Sequence, residues 1–148
     1  MSKIVQMILT GMFFTFICDF FLFLGIKENY INAHDIALYY NILFADHQSL
    51  IIFLIFTLII GYVIIYLNNK LAIIIVGTLF LLSASTLIPP VGSYVGELLL
   101  MKKDISLKTD KFTYHGDLLY DGRKTITFYD YELKKVIILD KNKIQGKY

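Results

Sequence analysis

Three long runs of residues carry almost no charge, and they constrain this chain more than any other feature. No residue between positions 49 and 69 is charged, and residues 50–67 are almost wholly Ile, Leu, Phe and Val. Residues 71–96 are again free of charge, with the densest apolar stretch over 71–88. Residues 4–26 form the third run, broken only by Asp19. A hydrocarbon layer about 30 Å thick takes roughly 20 helical residues to cross, which each run supplies. Backbone polar groups in lipid must be satisfied within the segment, so the expected form is a helix. The spans are placed at about residues 4–26, 49–68 and 71–88. Overall, 57% of the 148 residues are hydrophobic and 18% are charged, which excludes a disordered chain. A net charge of +2 gives no electrostatic footprint for nucleic acid.

The first run begins Met-Ser-Lys, as a secretory signal would. Its apolar stretch is too long for an h-region, and Gly25-Ile26-Lys27-Glu28 is a poor cleavage site, so a retained anchor is expected. Between the first two runs, Asn32 followed by Asp35 reads as a helix start, with Asn as N-cap. Ala33, Ile36, Ala37, Tyr40, Leu43 and Phe44 then recur at helical spacing. An interfacial helix over about residues 33–45 follows, roughly 20 Å long and too short to cross a bilayer. Asn68-Asn69-Lys70 leaves room only for a tight antiparallel hairpin between the second and third runs. Pro89-Pro90 is expected to stop the third, and residues 91–101 read as an interfacial linker.

Composition changes near Glu97. Residues 97–148 hold 11 of the 14 basic and 8 of the 12 acidic side chains. Residues 111–115 and 125–128 alternate polar and apolar with β-branched and aromatic types, the pattern of half-buried strands. Asp121-Gly122 marks a hairpin turn, His115-Gly116-Asp117 a second turn or bulge, and residues 136–139 a more buried strand. The expected fold class is therefore α+β. A membrane domain over 1–96, with three transmembrane helices and an interfacial helix, precedes a small antiparallel β-rich soluble tail over 97–148. Such a tail is marginal alone and needs something to lean on.

Asp19 is the most informative single residue, because a carboxylate in an apolar span faces protein or water and often marks function. Gly11 and Thr15 lie on the same helix face, and Thr57 and Gly61 form a like pair on the second span. Small and polar residues at that spacing permit close helix approach or partner binding. Lys102, Lys103, Lys108 and Lys111 form a basic cluster suited to a membrane surface, where each charge near anionic lipid is worth about 1 kcal/mol. Lysine placement favours the tail inside: Lys27 and those four lie on one side, Lys3 and Lys70 on the other. His34 and His47 each neighbour an acid, yet on one straight helix they would point to opposite faces, so no metal site is expected. Cys18 is the single cysteine and reads as packing. No phosphate loop, dinucleotide fingerprint, zinc-protease motif or nucleophile elbow occurs, and Asp117, Asp121, Asp130 and His115 read as turn residues. No cofactor and no enzymatic activity are expected.

These features point to a small multi-pass accessory protein of a bacterial inner membrane. It would pack on a larger membrane complex through the Gly11, Thr15, Asp19 face and dock its tail on that complex's soluble part. Two other readings remain: a homo-oligomeric transporter or channel component using Asp19, and a membrane-anchored sensor whose tail binds a ligand. The expected partners are the lipid bilayer and either the complex or further copies of the chain, with the tail in the cytoplasm.

Overall fold

The computed structural model describes residues 2–109 and 112–145. It is helical through residue 100 and β-sheet thereafter, an α+β architecture. Helix α1 spans Lys3–Ile26, opened by Ser2, whose hydroxyl accepts the Val5 N–H. It does not stop there. A π turn over Lys27–Ile31 and a 3-10 turn over Asn32–His34 carry it on, so the rod is 32 residues long, about 48 Å. This is the one helix among the described residues that is long and apolar enough to cross a membrane unaided.

Four more helices follow: α2 (Tyr40–His47), α3 (Leu50–Tyr66), α4 (Asn69–Ser85) and α5 (Pro89–Leu100). The α3–α4 hairpin forms at the expected place, with Asn68 accepting the Leu71 N–H as N-cap. Helices α3 and α4 have 17 residues each, about 25 Å, at the short end of what a bilayer crossing takes, and each continues into a neighbour across a sharp bend. Helices α2 and α3 meet at 85°, and α4 and α5 at 88°.

Two local expectations in the helical half are corrected. Asn32 does not cap a helix over 33–45. Its side chain is taken by Glu28 and Lys27 within the end of the α1 rod, and the chain turns at Asp35, in the left-handed region with φ 52°. Residues 36–39 are then non-helical, with Ile36 sunk into the core, and only Tyr40, Leu43 and Phe44 of the periodic set share α2. Residues 91–101 are likewise no linker. Proline at the first two positions of α5 costs nothing, because the first turn has no intrahelical N–H partner to lose, so Pro89-Pro90 begins a helix as well as ending one.

The sheet has five strands: β1 (Lys102–Thr109), β2 (Thr113–Asp121), β3 (Thr125–Asp130), β4 (Lys135–Asp140) and β5 (Ile144–Gln145). All pairings are antiparallel, in the order β4-β3-β2-β1-β5. A single 3-10 turn over Lys141–Lys143 separates β4 from β5, yet β5 pairs with β1 at the far side, so the sheet curls into a half-barrel. Leu107, Leu118, Ile126 and Phe128 fill its concave side. The Asp121-Gly122 turn forms, closed by the Gly122 N–H on the Thr125 carbonyl.

His115-Gly116-Asp117, expected to turn or bulge, is unbroken strand. A Cβ on Gly116 would stand 1.9 Å from the Tyr129 carbonyl oxygen, so glycine is needed there for close strand approach. The bulge lies opposite, in β1, where the register shifts between Lys102 and Ile105. Asp104 takes φ 54° there and donates its N–H to the Asp117 carboxylate at 2.9 Å. A second shift, between Leu118 and Tyr120, sets two β2 residues against one. It lets both Leu119 and Tyr120 join the core formed by Phe23, Ile26, Tyr30, Ile31, Leu43 and Leu100. The tail therefore leans on the helices of its own chain.

Candidate functional site

Four regions hold the residues that the sequence singles out. The first is the seam between α1 and α3. Thr15 and Thr57 are 2% and 1% exposed, and Gly11 and Gly61 are buried beside them. A Cβ on Gly11 would lie 1.9 Å from the Thr57 carbonyl oxygen, and one on Gly61 would lie 2.1 Å from that of Met7. The backbones touch, and this face of α1 is filled by the same chain. The Thr15 and Thr57 hydroxyls find no hydrogen-bond partner among the described residues.

Asp19 is half-buried at the head of α3, where the Gln48 amide donates to its carboxylate at 2.8 Å. Gln48 sits in the elbow between α2 and α3, and nothing in the sequence pattern marks it beyond a lone amide bordering an apolar run. Beside it the Tyr40 hydroxyl donates to the Phe20 carbonyl at 3.2 Å, and Phe16, Phe23 and Phe44 stack edge to face.

The second region is an apolar crevice of about 550 Å³ between α1 and α4, lined by Phe14, Cys18, Ala72, Val76, Gly77 and Phe80 among others. A Cβ on Gly77 would meet nothing within 4 Å.

The third is the junction of helices and sheet. The buried Tyr30 hydroxyl donates to the Leu119 carbonyl at 2.8 Å. Arg123, in the turn between β2 and β3, grips Asp46 of α2 through Nε at 2.9 Å and Nη2 at 2.5 Å. A guanidinium fork on a carboxylate fixes direction as well as distance. Arg123 holds the Asp46 carboxyl below the usual carboxylate value, and Asp46 raises Arg123 in return. The His47 ring meets Tyr120 edge-on at 5.6 Å. Desolvation lowers that imidazole below its ordinary value, against the opposing pull of Asp46 and Asp121.

The fourth is the surface of the sheet. Lys102 and Lys103 stand at the head of β1, with Lys103 bonded to Glu97 at 3.1 Å, while Lys108 lies at the other end of the strand. The strand separates by some 20 Å what the sequence places close together. Lys111 lies outside the described residues. The tail acids are occupied by local structure. Asp130 accepts the Leu133 N–H at 2.7 Å, and Asp121 pairs with Lys141 at 2.5 Å. Asp117 accepts the Tyr131 hydroxyl at 2.6 Å, a bond that helps push that phenol up to about 12. His115 meets Ser106 at 2.7 Å, and the His34 ring meets the Tyr30 carbonyl at 2.8 Å. Among the described residues no three His, Cys, Asp or Glu side chains converge as metal ligands would.

The fold and these regions define an α+β chain with an apolar helical sheaf and a half-barrel seated on one end of it. No family model matches the chain, and neither a curated protein nor a solved structure matches it.

Proposed function

We propose that the chain is an integral membrane protein serving as an accessory subunit, with α1, α3 and α4 in the bilayer. The outward faces of these helices are apolar along their length: Ile4, Phe13 and Phe16 on α1, Ile51 and Ile55 on α3, Ile73 and Leu81 on α4 are all exposed. Water would not tolerate such a surface on a monomer, and lipid would. Both elbows fall at the half-barrel end, where α2 and α5 would lie flat on the bilayer surface. Tyr39, 77% exposed, and Tyr94 suit the headgroup layer. Lys3 and Lys70 mark the opposite end. Lys27, Lys102 and Lys103 lie on the half-barrel side, and the lysine bias supports a reading with that side in the cytoplasm.

The observation that carries the accessory role is the crevice at Gly77. Gly11 and Gly61 are met by backbone and Gly25 and Gly96 by the Thr86 and Tyr30 side chains, whereas Gly77 faces open space among Phe14, Val76 and Phe80. In lipid, helices associate by close packing at such small-residue positions. A transmembrane helix of a larger complex is the occupant proposed. The Gly11–Thr15 face is already covered by α3, so the lateral partner belongs at α4.

Ile73→Cys, one turn before Gly77 on the same crevice wall, in a Cys18→Ala background, tests this by cross-linking in native membranes. One discrete heavier adduct, lost with Gly77→Phe, supports the subunit reading. An adduct of twice the chain's own mass moves the weight to a homo-oligomer, and no adduct rejects the α4 face. Resistance of the unmodified protein to carbonate washing tests the membrane placement itself.

A further inference from the structure

A second cavity, about 350 Å³, lies where the outer face of the sheet overhangs the segment joining α1 to α2. Its apolar side is made by Ile36, Leu38, Ile42 and Ile138, the last 68% exposed. Thr127 lines it from β3 and is only 8% exposed. The hydroxyl that is buried and unpaired here among the described residues is that of Tyr120, which lines the cavity from β2, and such a group marks a place for an acceptor. Alternation along β3 puts Ile126 and Phe128 into the half-barrel and Thr127 onto this side.

The mouth is cationic. Arg123 and Lys124 border the cavity from the turn between β2 and β3. Arg123 spends Nε and Nη2 on Asp46, which leaves its Nη1 hydrogens available. Lys124 makes no ion pair among the described residues. The Asp46 anchor also sets depth, because Asp46 is two residues from Gln48, at the elbow taken above as the bilayer surface. A cationic rim, an unpaired hydroxyl and an apolar wall thus meet at headgroup level.

We propose that this cavity holds the headgroup and glycerol of an anionic phospholipid. Its phosphate would lie between Lys124 and the free edge of Arg123, with Tyr120 donating to an ester or phosphate oxygen. The first methylenes would rest on Ile42 and Ile138, and the acyl chains would run past α2 into the bilayer. This inference rests on the membrane placement above, and it commits to lipid because the apolar wall has no use for free phosphate.

The test uses the full chain, delipidated in mild detergent and offered phosphatidylglycerol or phosphatidylcholine of identical acyl chains, with retained lipid read by native mass spectrometry. Phosphatidylglycerol is expected to be retained at least tenfold better. Lys124→Glu should bring it down to the phosphatidylcholine level, and Tyr120→Phe should weaken it about threefold. Lys103→Glu, outside the cavity, should change nothing. Equal retention of the two lipids, or full retention by Lys124→Glu, overturns the proposal. Competition by glycerol phosphate at equal concentration overturns the lipid assignment in favour of a phosphate site. Thermal unfolding of each variant separates loss of the site from loss of fold. If the protein resists carbonate washing and shows no lipid preference, this inference alone fails; if it washes off, the membrane placement fails first.

Discussion

Helix α1 makes two contacts of opposite kinds. Against α3 it brings backbone to backbone, with Gly11 and Gly61 each covered by a carbonyl; against α4 it leaves a crevice in which Gly77 touches nothing within 4 Å. Both helices come from apolar runs, and apolar character alone does not say which of them brings its backbone against α1. Paired small residues on both partners do. Gly11 and Thr15 on one helix face Thr57 and Gly61 on the other, whereas the α1 wall of the crevice at Gly77 is made by Phe14, Ile17 and Cys18, with no glycine among them. The closed seam holds this chain together, and the open one is free to hold something else.

Substitutions that exchange the two glycines should separate these roles. Gly11→Leu has the largest expected effect, because the new side chain must displace the Thr57 carbonyl. A loss of about 3 kcal/mol or more is expected, read as failure to accumulate or as a large drop in melting temperature in detergent. Gly77→Ala should do the reverse, stabilising by about 0.5–1 kcal/mol, the helix-propensity gain with no steric cost. If both variants behaved alike, the contrast between the seams would be gone.

At the junction with the sheet, Tyr30→Phe removes the donor to the Leu119 carbonyl and leaves a buried acceptor unpaired. A cost of about 1–2 kcal/mol is expected, seen as faster amide exchange in β2. The Asp46–Arg123 tie gives a pH dependence of known sign. Asp46 is depressed below its ordinary 3.8 in the folded chain, so its contribution is complete above that value and fades as pH falls through the lower folded one. Protease cutting in the 122–124 turn should rise over that acid range in the wild type. In Asp46→Asn it should be raised at neutral pH and no longer respond to acid. The smallest effect is expected at Thr15→Val and Thr57→Val, within about 1 kcal/mol, because each removes a buried hydroxyl that has no partner to lose.

The apolar runs, the change of material near Glu97 and the Asp121-Gly122 hairpin were legible in the sequence because each is a local property: period, composition or turn chemistry. The small residues later found at the α1–α3 seam were visible for the same reason, although which helix would cover them was not. Local rules failed where a distant contact outvoted them. Asn32 has the chemistry of a cap, but its side chain was claimed by Lys27 and Glu28 while Ile36 was drawn into the core. Gly116 carries a turn residue's signature, but a neighbouring strand needed its missing Cβ. Gln48 and Asp19 lie 29 residues apart, and Arg123 and Asp46 lie 77 apart. No pattern within a helix or strand encodes such pairs; they appear only when the elbows and the half-barrel are assembled.

The return of β5 to β1 also orders events in time. A ribosome delivers β1 long before β5, and until residues 144 and 145 have emerged the first strand has no neighbour on that edge. Throughout that interval β2 already has a surface waiting for it, since Tyr30, Leu43 and Leu100 are synthesised earlier. The helices can therefore act as a mould on which β2, and through it the growing sheet, is laid.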